Sequence, residues 1–106
     1  MGRAKDLVIS GGLNIYPKEV EDVLDTIDGV LESAVIGAPD ADFGEAVVAA
    51  VVPKPGLAVD TQIVRDTARR RLAAFKLPKR IEIVDSLPRN AMGKVEKAAL
   101  RRRFGG

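Results

Sequence analysis

The pair Gly93-Lys94 is the place in this sequence best suited to meet an anion. Glycine lets a ligand approach bare backbone. The lysine beside it brings a compact charge with three donors, matched to a phosphate or carboxylate oxygen. The pair lies in the run Pro88-Arg89-Asn90-Ala91-Met92-Gly93-Lys94-Val95, immediately before an expected helix. It is not a Walker loop, which needs a glycine five residues before Gly93 and a Ser or Thr after the lysine. Pro88 and Val95 stand at those places. A surface lysine at a helix start has the same local chemistry, and taken alone it is the more frequent arrangement.

Two further groups could touch a ligand. Ser10-Gly11-Gly12 is a turn by composition, and the same two glycines would let an extended ligand slide along the backbone. The basic residues Arg69, Arg70, Arg71, Lys76, Lys79 and Arg80 form a cluster. The three arginines read as a solvated helix face. Lys76-Leu77-Pro78-Lys79-Arg80 differs, because its prolyl turn fixes where the charges point, and it could meet the phosphates of a nucleotide-like ligand. Tyr16, Phe43, Phe75 and Phe104 are the aromatic residues and make no stacking motif, so nucleic acid is not an expected partner.

Composition removes other chemistry. The 106 residues contain no cysteine and no histidine, which excludes disulfides, thiolate catalysis and imidazole bases, and no metal site is expected. The net charge is +2, with Lys and Arg concentrated toward the C-terminal half. Hydrophobic residues at 46% and charged residues at 30% are a globular balance. The longest apolar run, Ala46 to Val52, is too short to span a bilayer. The first residues lack the apolar stretch of a signal peptide, so a soluble, cytoplasmic protein is expected.

The elements that must carry these residues form one small α+β domain over residues 1–106. Leu7-Val8-Ile9 and Leu13-Asn14-Ile15 read as strands of an N-terminal hairpin. Pro17 suits a first helical position, and Val20, Val23, Leu24 and Ile27 make an apolar stripe that Gly29 would end. Ala34–Gly37 and Ala46–Val52 read as strands around an Ala38-Pro39-Asp40 turn, the second apolar enough to be buried on both faces. Asp60 or Thr61 would cap a second helix with Val64, Ala68, Leu72 and Phe75 inward. Ile81 and Ile83 belong to a third main strand. A loop from Asp85 to Gly93 leads to a last helix with Val95, Ala98, Ala99 and Leu100 inward. The expected architecture is the hairpin plus a sheet of about three strands, with helices packed on it.

Five blocks in order resemble the C-terminal domain of AMP-forming acyl-CoA synthetases, members of the adenylate-forming ligase superfamily. They are Gly2-Arg3-Ala4-Lys5-Asp6; Ser10 to Pro17 with Glu19-Val20-Glu21; Pro39-Asp40 with Phe43-Gly44-Glu45; Phe75-Lys76-Leu77-Pro78-Lys79; and Leu87-Pro88 through Gly93-Lys94-Val95. The resemblance covers nearly the whole chain, and its wording is similar to malonyl-CoA synthetases. It implies a reaction in two halves: a carboxylic acid and ATP give an acyl-adenylate and pyrophosphate, and the CoA thiol then displaces AMP. It also implies a large N-terminal domain of the same polypeptide, outside these residues, that holds acid and nucleotide together with Mg2+. The small domain would hold no cofactor by itself and would be inactive alone. As a mobile lid it would rotate between the two steps.

Carried over by position, Lys94 is the lysine of adenylation, Lys5 the hinge, and Arg3 a contact to the nucleotide ribose or phosphate. Gly11 and Gly12 wall the pantetheine tunnel. Phe43 and Phe75 lie near the CoA nucleotide, and Lys76 or Lys79 faces its phosphates. Leu13 and Leu77 stand where some relatives have arginine. If Lys94 must be charged, a lysine acetyltransferase acting on it would switch off adenylation. Two other readings stay open from the sequence: the lid of a domain that loads a carrier protein, and a stand-alone binding module without a catalytic role.

Overall fold

In the computed structural model, which describes residues 7–42 and 44–104, the chain's first turn is set by its paired glycines. Gly11 and Gly12 hold φ of 58° and 81°, the left-handed values that a two-residue hairpin turn requires at both positions. Strand β1 (Val8–Ser10) therefore reverses directly into β2 (Leu13–Ile15), with Ser10 opposite Leu13. Helix α1 (Pro17–Leu24) begins on its proline and stops at Leu24, five residues before Gly29. Ile27 is buried, but it lies in the turns that lead to the next strand.

Strand β3 (Val30–Asp40) pairs antiparallel with β4 (Gly44–Pro53), and Ala34 faces Ala50. The segment expected to turn, Ala38-Pro39-Asp40, is the end of β3, and the reversal falls between Asp40 and Gly44. Proline is tolerated there because β3 is an edge strand. Helix α2 (Thr61–Arg71) carries the chain over to β5 (Arg80–Ile83), which lies parallel to β4 with Val48 opposite Arg80. The Asp60 side chain caps α2 by accepting the Gln62 N–H at 2.8 Å. Helix α3 (Lys97–Phe104) ends the described chain. The sheet order is β3-β4-β5, with the hairpin as a separate two-stranded sheet.

Strand β4 is central, and its side chains alternate between two cores. Val47, Ala49 and Val51 point to one face, where they meet Val8, Ile15, Val20, Leu24 and Val64 from the hairpin, α1 and α2. Val48, Ala50 and Val52 point to the other, where they meet Val84, Leu87 and Leu100. Each fully buried valine or leucine contributes roughly 1.5–3 kcal/mol, so both faces of one sheet are anchored. Ala98 is exposed, and Val95 precedes α3 in an isolated bridge to Arg89. The inward set of the last helix therefore reduces to Leu100 with the half-buried Ala99 and Phe104.

Acids in α1 and at its C-terminal cap contact the outer edge of β3. Glu21 accepts the Val35 N–H at 2.8 Å, and Asp25 accepts the Ser33 hydroxyl at 2.7 Å. The Val35 N–H, so occupied, is not available to template another strand. Glu21 also meets Lys97 of α3 at 2.7 Å, with the two side chains only 16% and 10% exposed. This ion pair joins helices that lie on opposite faces of the sheet.

Candidate functional site

Lys94 sits on a tight reversal, not directly at a helix start. Arg89 and Val95 pair across it, the Asn90 N–H donates to the Lys94 carbonyl at 2.9 Å, and Gly93 turns the chain at φ 84°. Asn90 organises the turn from within. Its Oδ1 accepts the N–H of Met92 at 2.8 Å and of Lys94 at 3.1 Å. Arg89 donates to the Gly93 carbonyl at 2.8 Å and forms an ion pair with Glu32 of β3. Every backbone step around the lysine is thus held, while the Lys94 side chain is exposed, with no ion pair or side-chain hydrogen bond among the described residues. An ammonium projected from a fixed backbone is able to meet an incoming oxyanion without first breaking a contact. Helix α3 starts three residues later, at Lys97.

The glycine hairpin lines a different place. Ser10, Gly11 and Leu13 form one wall of a groove of about 430 Å³ whose other wall is Ala74, Phe75, Leu77, Pro78 and Lys79, with Val47 at its base. Gly11, Phe75 and Lys79 are therefore brought together. Gly12 turns beside them without lining the groove, and a Cβ on it would meet nothing within 4 Å.

Phe75 is not the inward residue of α2 that its spacing suggested. The helix stops before Leu72, which is extended at φ −122° and ψ 149°, and Ala74–Lys76 form a separate 3₁₀ turn. The ring is consequently 40% exposed at the groove.

The two lysines expected to serve phosphates are not bare charges. Lys76 is held by Glu19 at 2.8 Å, with its ammonium 5.5 Å from the Phe75 ring centre. Lys79 stands 3.5 Å from the Asp40 carboxylate, and its N–H donates to the Val47 carbonyl at 2.8 Å. Lys79 lines the groove and Lys76 does not. The charge the groove offers an anion is thus lower than the sequence implied. Arg69, Arg70 and Arg71 are exposed, as a solvated helix face requires. At the start of α1, the hydrogen bond and charge of Asp22 raise the Lys18 ammonium above the ordinary lysine range; so exposed a pair adds little to the fold. Lys5, Arg3 and Phe43 lie outside the described residues.

The lysine turn and the groove occupy opposite faces of the sheet. Val95 packs with the core of Val48, Ala50 and Val52, whereas Val47 and Leu77 belong to the core of the hairpin and α1. They are also far apart along it. The turn is tied to Glu32, opposite Val52, and the groove to Val47. Five residues of strand separate these, about 17 Å. Among the described residues no cluster of three or more acidic, His or Cys side chains could hold a metal ion, and no helix is long and apolar enough to cross a membrane.

Sequence reasoning passed over Glu45, Asn90 and the pair Glu21–Lys97. Asn90, three residues before a glycine, carried a recognisable turn signal. Glu21 and Glu45 stand within the quoted blocks, but their partners are distant in sequence and no local signal identified the contacts.

Comparison with known proteins converges on one family. The pattern of the AMP-binding enzyme C-terminal domain matches residues 19–94. A 3-[(3aS,4S,7aS)-7a-methyl-1,5-dioxo-octahydro-1H-inden-4-yl]propanoyl:CoA ligase of Rhodococcus jostii (strain RHA1) is 54% identical over 99 residues, covering 93% of this chain and 19% of the relative. A fatty acid–[acyl-carrier-protein] ligase, ScoC of Streptomyces coeruleorubidus, is 45% identical over 104 residues, 98% of this chain and 20% of the relative. The crystal structure of apo MatB from Rhodopseudomonas palustris superposes with a TM-score of 0.93 at 54% identity, over 98% of this chain and 21% of that one. The chain spans about a fifth of the length of the relatives it matches.

Proposed function

The chain belongs to the AMP-binding enzyme C-terminal domain family, and on that premise we propose that it is the mobile lid of an AMP-forming acyl-CoA ligase. Its large N-terminal partner domain, on the same polypeptide, would hold the carboxylic acid, ATP and Mg2+. In the first half-reaction a carboxylate oxygen attacks the α-phosphorus of ATP and pyrophosphate leaves. In the second the CoA thiol attacks the acyl carbon, AMP leaves, and the thiol proton passes to solvent. The proposed compartment is the cytoplasm, where both co-substrates are available.

One observation carries the reading: an exposed lysine on a held backbone and a glycine-walled groove lie on opposite faces of one sheet. A rigid body with two such faces serves two steps by turning. Lys94 would face the nucleotide first, orienting the carboxylate and offsetting charge at the α-phosphate. Arg3 would assist at the ribose or phosphate, beside the hinge at Lys5. After rotation, Gly11 would wall the channel for the pantetheine arm, with Gly12 completing the turn that presents it. Phe43, Phe75, Lys76 and Lys79 would flank the CoA nucleotide.

The test compares wild type with Lys94→Ala in the full-length polypeptide. Acid-dependent pyrophosphate release is expected to fall by about 10²–10³, the usual worth of one positioned electrostatic contact. Thioester formation from preformed acyl-adenylate and CoA is expected to survive. If both steps are untouched, the chain is a binding module and the lid reading is wrong. The carrier-protein ligase among the relatives supports a second reading, in which the acceptor is a carrier-protein thiol. Turnover that requires a carrier protein and ignores CoA would select it.

A further inference from the structure

The hairpin that walls the groove has two strands of three residues each, and a two-stranded sheet of that size is marginal on its own. Val8 and Ile15 anchor it by burial. Among the described residues one polar tie from outside the hairpin remains, and it comes from Glu45. This residue lies near the start of β4, opposite Pro39, and its Oε1 accepts the Ile9 N–H at 2.8 Å. Ile9 is the second residue before Gly11, so the bond acts beside the groove wall.

Gly37 of β3 explains how the carboxylate gets there. Its φ is not in the left-handed region, so the backbone does not demand glycine, and glycine inside a strand forfeits packing. What it supplies is space. A Cβ at Gly37 would stand 2.6 Å from Glu45 Oε2, 2.9 Å from its Cδ and 3.2 Å from Val8 Cγ1. The Glu45 carboxylate lies over the bare backbone of β3, next to the hairpin it holds.

We propose that Glu45 is a positioning residue for the thioester-forming half-reaction, fixing the β1–β2 hairpin through Ile9, with Gly37 kept small to admit its carboxylate. The inference rests on the reading of the groove as the thiol's channel. A competing role exists for the same carboxylate, since Glu45 shares a neighbouring hollow with Arg101 and Arg102, where its charge rather than its acceptor would matter.

The variants Glu45→Ala, Glu45→Gln and Gly37→Ala separate these roles in the full-length polypeptide. Gly37→Ala displaces the flexible end of Glu45 while keeping the charge in the chain. Glutamine keeps an acceptor for Ile9 and loses the charge. Glu45→Ala and Gly37→Ala are expected to lower kcat/KM for CoA in thioester formation by roughly tenfold, the scale of one lost hydrogen bond. Acid-dependent pyrophosphate release should stay within about twofold, and amide exchange over residues 8–15 should quicken. Glu45→Gln should restore all three readouts. The proposal is overturned if thioester formation is unaffected, if both half-reactions fall together, or if Glu45→Gln is as impaired as Glu45→Ala. Gly11→Val, assayed alongside, tells the two failures apart. If it blocks thioester formation while Glu45→Ala does not, only the positioning role is lost; if it too is fully active, the groove reading fails and this inference falls with it.

Discussion

The ion pair between Glu21 and Lys97 permits a quantitative test, because among the described ion pairs it alone joins the two faces of the sheet, and its charges are the least exposed. Lys97→Met keeps the aliphatic stem and removes the ammonium. Glu21 is then left at 16% exposure with the Val35 N–H. Breaking a fully buried pair on one side costs about 3–5 kcal/mol. The remaining solvent contact of both groups argues for the lower end, roughly 2–3 kcal/mol. For a chain of about 100 residues each kcal/mol moves the melting point by about 4–8 °C, so a drop on the order of 10–20 °C is expected. Glu21→Gln removes the charge but still accepts from Val35. The double variant Glu21→Gln/Lys97→Met removes both charges of the pair and should lie within about 1 kcal/mol of wild type, giving a coupling energy of roughly 2 kcal/mol. Thermal and urea unfolding followed by circular dichroism measure all four corners of the cycle. Lys18→Met, which removes an exposed partner of Asp22, is the control and should hardly move the midpoint. If Lys97→Met behaves like that control, or if the two single losses simply add, the pair does not fasten α3 to α1.

Two further outcomes concern the lysine turn. Asn90→Ala removes the acceptor for both Met92 and Lys94; it should cost roughly 1 kcal/mol and slow pyrophosphate release several-fold without touching thioester formation. Asn90→Asp retains both acceptors and should recover the rate; an unimpaired Asn90→Ala would show that the turn needs no internal brace. Acetylation of Lys94 by a lysine acetyltransferase abolishes its charge and should depress adenylation by about 10²–10³, as removal of the side chain does. Full activity in stoichiometrically acetylated protein would refute that control point.

Local signals in the sequence were legible wherever the cause was local. Two adjacent glycines between apolar triplets specify a hairpin, proline specifies the first turn of α1, and an aspartate before Thr61 specifies a cap. The unbroken apolar run of β4 identified a central strand because only burial on both faces suits it. The errors share a different cause. Ile27 and Phe75 continue a 3.6-residue spacing past the end of their helices, and periodicity does not register where a helix stops. Pro39 looked like a turn because its tolerance at a sheet edge depends on strand order, which a local pattern does not contain. Lys76 and Lys79 looked like available charge because Glu19 and Asp40, their partners, lie 57 and 39 residues away in the chain. Glu45 was visible within a motif, yet its work depends on Ile9 and on the missing side chain of Gly37, a relation among three strands.

The pairing of charges bears on how one small domain would serve the two proposed encounters. Around Lys94 the neighbouring cation Arg89 is engaged with Glu32, and Lys97 with Glu21. These contacts hold the backbone and leave the Lys94 side chain exposed. Its approach to a phosphate therefore exchanges water for ligand, with no protein contact to break. On the groove face the arrangement is reversed. Lys76 and Lys79 already have carboxylate partners, and each pair is partly exposed. Such pairs are worth only about 0–1 kcal/mol, so a phosphate can displace Glu19 or Asp40 at little cost. Until it arrives, those carboxylates lower the attraction of this face for other anions. Under the proposed rotation, a first face competent in every cycle and a second kept quiet until turned would gain from that asymmetry. Fixed backbone with a free charge would suit the proposed adenylation face, and exchangeable charge beside a glycine wall would suit the proposed thiol face.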